Sequence, residues 1–165
     1  MQISVLLNGE NTIIDAPADE RLFTVLRNRG LTSVKCACNH GVCGTCAVLV
    51  NNKPVPSCSL PAAAVQGKQV TTLEYFMDSE DFDDIKTGFE QAKVHLCGFC
   101  NASKYFATWD IISETARPQK EDILKYVGTL GCHCTETNTL VNGILYAATR
   151  RRMRLAAKNS QDKGR

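Results

Sequence analysis

With 165 residues, 44% of them hydrophobic, the chain is long enough for one medium domain or two small ones and too apolar for wholesale disorder. No apolar run approaches the ~20 residues that cross a bilayer, and Met1-Gln2-Ile3-Ser4-Val5 reads as a first strand rather than a secretion signal, so a cytoplasmic protein without a membrane partner is expected. The net charge of +2 is unevenly spread, with +6 on residues 150–165 and −4 on the remainder.

The first half reads as β-rich. Ile3, Val5 and Leu7 alternate along a strand, Asn8-Gly9 is a two-residue hairpin turn, and Thr12-Ile13-Ile14 continues the returning strand. Asp19 is the expected N-cap of a short helix with Leu22, Val25 and Leu26 on one face and Gly30 as its C-cap. A Gly- and Cys-rich loop runs from Cys36 to Cys46. Ala47–Val50 then reads as a buried strand, Asn51-Asn52 as a turn and Val70–Leu73 as a last strand. A hairpin, a helix across it and later strands suggest a small α+β roll.

The second half reads as helical. Ile85, Phe89, Ala92 and Leu96 form one stripe of a helix that Asp81 or Asp83 would cap. A second helix is expected from Cys100 to about Ala116, stopped by Arg117-Pro118. Ile123, Tyr126 and Val127 face inward on a third, and Leu140, Ile144, Leu145 and Ala148 support a fourth. The change of period falls in the acidic stretch between Leu73 and Asp81, dividing the chain into residues 1–76, 77–150 and a basic tail, 151–165. The tail reads as a solvated, fraying segment or as a docking arm for an acidic partner. Nucleic-acid binding is disfavoured, since no aromatic residues interleave the charges.

Nine cysteines in a reducing compartment argue for metal or cluster ligation over disulfides. Cys38-x4-Cys43-x2-Cys46 followed by Cys58 is the plant-type spacing of a [2Fe–2S] cluster. Two irons need two thiolates each, and Gly41 and Gly44 let the loop wrap closely so that backbone N–H groups point at sulfur. A four-cysteine zinc site is the alternative, although zinc ligands usually come as two C-x2-4-C knuckles. The second set, Cys97-x2-Cys100 with Cys132-x-Cys134, fits a second cluster, a redox pair or part of a zinc site. Both pairs precede expected helices, whose N-termini favour a negatively charged group. Cys36 is left over as a bystander thiol.

Taken together, Lys35-Cys36-Ala37-Cys38-Asn39-His40-Gly41-Val42-Cys43-Gly44-Thr45-Cys46, Pro56-Ser57-Cys58, Leu96-Cys97-Gly98-Phe99-Cys100 and Cys132-His133-Cys134-Thr135 resemble the small iron–sulfur subunits of the xanthine dehydrogenase family of molybdenum hydroxylases. The resemblance runs from about Ile3 to Ala148. It implies an α+β architecture, a β-grasp ferredoxin-like domain followed by a four-helix domain. It implies that Cys38, Cys43, Cys46 and Cys58 hold a [2Fe–2S] cluster nearer FAD, and that Cys97, Cys100, Cys132 and Cys134 hold another nearer molybdopterin. FAD and molybdopterin would sit on a medium and a large partner subunit, with no substrate pocket on this chain.

Departures from the family pattern gather at the second set. Leu96 stands where the family has a Gln that reaches the pterin, Asn101-Ala102-Ser103 replaces Thr-Pro-Gly, and Glu136-Thr137 replaces Gly-Tyr. In the first loop Asn39-His40 replaces Gly-Glu. These changes motivate a neighbouring reading, a two-cluster carrier of a redox complex lacking molybdenum. A zinc-stapled interaction module is the reading from another class. With eight cysteines in place, His40 and His133 read as neighbours of the ligands or as surface residues, His95 as surface, and Phe106 and Trp109 as packing or partner interface.

Overall fold

The computed structural model describes residues 1–130 and 134–162. Five strands form one mixed sheet: β1 (Gln2–Leu7), β2 (Glu10–Asp15), β3 (Ala47–Val50), β4 (Lys53–Pro56) and β5 (Gln69–Thr71), in the order β2-β1-β5-β3-β4. β1 runs parallel to β5, and the other neighbours are antiparallel. At the β1–β2 hairpin Asn8 and Gly9 both take positive φ, +50° and +83°, as a two-residue turn between twisted strands requires.

Helix α1 (Leu22–Asn28) lies across the sheet and buries Leu22, Val25 and Leu26 against Ile3, Val5, Val48 and Val70. Asp19 does not cap it. Arg21 occupies that place and makes no side-chain cap, because the chain before the helix is already pinned to residues 60–62. The Leu22 N–H donates to the Leu60 carbonyl at 2.8 Å and the Ala62 N–H to that of Glu20 at 2.7 Å. Gly30, at φ +82°, lies just beyond the C-cap Arg29.

β3 is buried along its whole length and serves two cores. Val48 and Val50 face α1, whereas Ala47 and Leu49 face the helical layer, so the strand reads as a continuous apolar run. β4 was not expected as a strand. Its Pro54 and Pro56 are tolerated because it is the sheet edge. β5 ends at Thr71, and Leu73, expected in that strand, begins the short helix α2 (Leu73–Phe76).

The helical layer comprises α3 (Glu80–Gln91), α4 (Asn101–Glu114), α5 (Lys120–Val127) and α6 (Thr137–Asp162). Ser79, not Asp81 or Asp83, caps α3, accepting from the Phe82 N–H at 3.1 Å; the two aspartates fall in the first turn, where they suit the helix dipole. α3 ends at Gln91, five residues short of Leu96. Lys93 takes φ +59°, and the Val94 N–H returns to the Phe89 carbonyl at 2.8 Å, a Schellman closure without its usual glycine. Ala92 is therefore the C-cap, and Leu96 lies in the following loop, partly buried against the helical core.

α6 runs antiparallel to α3 and does not end at residue 150. Helices α3 and α6 approach so closely that a Cβ on Gly88 would lie 2.5 Å from the Ala147 nitrogen. The basic segment expected to be solvated continues the helix and pairs with acids of α3. Arg151 Nε lies 3.0 Å from Asp81, and Arg154 reaches Asp84 at 2.7 Å and Glu80 at 2.8 Å as well as Asp81. Lys158 also pairs with Glu80. The acidic surface that a docking arm would seek lies within this chain, at the N-terminal end of α3. No helix among the described residues is long and apolar enough to cross a membrane.

Candidate metal centres

The first thiol set is built by one coiled loop and one returning turn. Asn39, Gly41 and Gly44 take φ of +61°, +75° and +73°, and these left-handed steps turn successive N–H groups inward. The N–H groups of His40 and Cys43 each donate to Cys38 Sγ at 3.4 Å, that of Gly41 to Cys58 Sγ at 3.3 Å, and that of Cys58 to Cys46 Sγ at 3.4 Å. Cys58 sits on a 3₁₀ turn, Ser57–Ser59, held to the residue just before β3 by Ser57 Oγ donating to the Cys46 carbonyl at 2.7 Å.

The four sulfurs fall into two pairs, Cys38 with Cys43 and Cys46 with Cys58. The first pair is half-buried and the second lies in the β core. Donation from the His40 N–H and then the Cys43 N–H draws the Cys38 thiol down to about 6, whereas burial pushes Cys46 up to about 11 against the pull of the Cys58 N–H. Cys38 is poised as thiolate, and Cys46 needs a metal to displace its proton. Two pairs of sulfurs ringed by N–H donors suit a dinuclear, negatively charged centre better than one tetrahedral zinc ion. Cys36 donates instead to Asn39 Oδ1 at 3.5 Å, and burial followed by the charge of Cys58 pushes its thiol up.

The second set is assembled from two distant loops. The Sγ atoms of Cys97, Cys100 and Cys134 lie within 4.8 Å of one another; Cys132 and His133 lie outside the described residues. Cys100 is buried and is the N-cap residue of α4, and Cys134 stands just ahead of α6. The Cys97 N–H donates to Cys134 Sγ at 3.5 Å. The Cys100 thiol and then the N–H groups of Cys100 and Phe99 draw Cys97 down to about 6. This donor set too suits an anionic cluster beside two helix N-termini.

Two of the departures at this end have local structural roles. Asn101 Oδ1 accepts from the Ala102 N–H at 2.9 Å. Glu136 accepts from the N–H groups of Asn138 and Thr139 at 2.9 and 2.7 Å, closing the start of α6, and these bonds hold its carboxyl below the ordinary glutamate range. Lys104, which the sequence reading passed over, is 1% exposed and places Nζ 3.3 Å from Cys134 Sγ. The available signal was a lysine four residues after Cys100, on the same face of a helix. His40 and His95 are exposed, Phe106 is fully buried, and Trp109 packs on Phe76 beneath Arg151.

The two sets adjoin. Lys35 Nζ donates to the Gly98 carbonyl, and Gly44 lies so close to α4 that a Cβ there would be 2.6 Å from Ser103 Cβ. Ser103 Oγ in turn donates to the Cys100 carbonyl at 2.9 Å. Packed atoms therefore run without a break from beside Cys43 to Cys100.

Residues 5–74 match the family described as a 2Fe-2S iron-sulfur cluster binding domain, and residues 72–145 match the [2Fe-2S] binding domain family. The chain is 31% identical over 148 residues to the nicotine 6-hydroxylase small subunit of Paenarthrobacter nicotinovorans, covering 89% of each. It is 30% identical to the xanthine dehydrogenase iron-sulfur-binding subunit of Escherichia coli O157:H7, covering 87% of this chain and 91% of that one. Among solved structures, quinoline 2-oxidoreductase from Pseudomonas putida 86 superimposes with a TM-score of 0.81 at 28% identity, over 92% of this chain and 96% of the matched chain. These similarities do not favour a zinc-stapled module or a two-cluster carrier of a redox complex lacking molybdenum. With two [2Fe–2S]-binding domains in the order the cysteines demand, the chain belongs to the small iron–sulfur subunits of molybdenum hydroxylase-type oxidoreductases.

Proposed function

We propose that Cys38, Cys43, Cys46 and Cys58 hold one [2Fe–2S] cluster and that Cys97, Cys100, Cys132 and Cys134 hold the other. The chain would thereby relay electrons from a molybdopterin site on a large subunit to FAD on a medium subunit. The observation that carries this reading is the presence of two adjoining thiol sets, one within residues 38–58 and one spanning Cys97, Cys100 and Cys134, linked through Gly44 and Ser103. Bound clusters would supply one-electron carriage between two-electron sites. The backbone N–H groups of the first loop and the start of α4 hold the thiolates at fixed geometry and keep the two sets in contact.

The unit boundaries that accompany this reading are a β-grasp unit over 1–76, a four-helix unit over 77–150 and a basic segment over 151–165, into which the last helix continues as far as Asp162. Val42 and Phe99, exposed apolar residues in the two cysteine loops, are the surfaces offered to the partner subunits. The working location is the cytoplasm, where reduced thiols remain available for iron. The substrate of the complex is an N-heterocycle or an aldehyde, in keeping with relatives named for nicotine, xanthine and quinoline.

Iron, acid-labile sulfide and molybdenum assays on the anaerobically isolated complex, with EPR after dithionite reduction, test the reading. About four irons per chain and two S = ½ signals are expected, together with molybdenum and FAD on the co-purifying subunits. About two irons and one signal would remove the second cluster, and a complex free of molybdenum would remove the relay.

A further inference from the structure

We propose that Lys104 is the fixed positive charge of the second centre, holding Cys134 and favouring the reduced state of a cluster bound by Cys97, Cys100, Cys132 and Cys134. This rests on the cluster assignment made above.

Lys104 is the bulkiest of the fully buried side chains, 1% exposed on a helix whose sequence gives no other reason for an inward lysine. Burying an ammonium is costly unless a negative partner offsets it. Cys134 Sγ, 3.3 Å from Nζ, is one such partner. The geometry is fixed from the backbone outward. The Lys104 N–H donates to the Cys100 carbonyl at 3.4 Å, and Thr108 Oγ donates to the Lys104 carbonyl at 2.7 Å. One helical turn therefore fixes the ammonium relative to Cys100, and its contact with Cys134 joins the two loops that form the site. Lysine has donors only, so it compensates charge and cannot itself become a ligand.

The consequence is electrostatic. Reduction adds one electron to the centre without a covalent change at Lys104, and the added negative charge lies beside a buried cation. Among the described residues, the first thiol set receives its N–H bonds from backbone groups and none from an ammonium or guanidinium. Lys104 thus raises the potential of the second centre selectively, by the charge and hydrogen-bond levers that set cluster potentials.

The test is an EPR-monitored redox titration of the intact complex carrying Lys104→Gln, which keeps an N–H donor and removes the charge. At a fixed potential the reduced-to-oxidised ratio of one signal should fall about tenfold, equivalent to 59 mV for a one-electron couple, while the other signal is unchanged. A Lys104→Arg complex should titrate like the parent. Unchanged midpoints in the Gln variant, with both signals present, would overturn the role of Lys104 and leave the two-cluster reading intact. If the Gln variant fails to assemble the second centre, assembly in the Arg variant upholds the proposal and failure in both overturns it. A parent complex with only one signal would overturn the cluster assignment itself, and this proposal with it.

Discussion

The two thiol sets solve the same problem, holding negative sulfur inside a protein, by different means. In the first, one loop curls on three left-handed residues, its own N–H groups meet the sulfurs of Cys38 and Cys58, and the Cys58 N–H of the returning turn meets that of Cys46. In the second, thiols 34 residues apart are brought together by two helix starts, and Lys104 adds a side-chain charge. Backbone donors survive most substitutions, whereas a charge carried by one side chain can be removed by a single change. The first set is fixed by chain geometry, and the second is adjustable.

The largest effects come from breaking one set at a time. Cys43→Ser should abolish or badly perturb one EPR signal and leave the other, with iron falling to about half. Cys100→Ser should do the converse, removing the signal that Cys43→Ser spares. Loss of both signals in either variant would mean that the sets are not independent sites.

A smaller effect tests the seam between them. Gly44→Ala forces a side chain into the left-handed region at φ +73° and against Ser103, which should destabilise the protein by about 2–3 kcal/mol. The thermal midpoint should fall by roughly 5–10 °C. Adding Ser103→Gly should relieve the clash but not the backbone strain, restoring about half of the loss. Full recovery would show that backbone strain plays no part.

The mildest change lies farthest from either set. Arg154→Ala leaves the carboxylate of Asp84, 5% exposed, without its 2.7 Å partner, at a cost of about 1–3 kcal/mol. Hydrogen exchange should quicken in residues 150–162 before it does in β1–β5. Both cluster signals should be retained.

Signals carried by neighbouring residues were legible in the sequence. Asn8-Gly9 gave the hairpin, Arg117-Pro118 bounded α4, and the x4-x2 spacing located a loop that coils around its own cysteines. Signals carried by distant partners were not. The end of α3 was missed because a lysine, not a glycine, takes the left-handed position at residue 93. β4 was missed because two prolines hide a strand whose edge position only the finished sheet reveals. The basic segment read as solvated because its acids lie 70 or more residues earlier, on α3. Lys104 was passed over for the same reason, since its partner Cys134 is 30 residues away.

The antiparallel pairing of α3 with α6 also bears on the order of events during synthesis. The strand pairing and the core beneath α1 draw their partners from residues 2–71, so the first thiol set can close early as the chain emerges from the ribosome. α3 packs on residues 143–158, and Cys97 and Cys100 meet Cys134 only when that later segment has been made. Until then Cys97 and Cys100 form a C-x2-C pair without their later ligands. Nascent chains in that interval are the form of this protein most open to oxidation, so iron delivery to the second site must follow completion of α6.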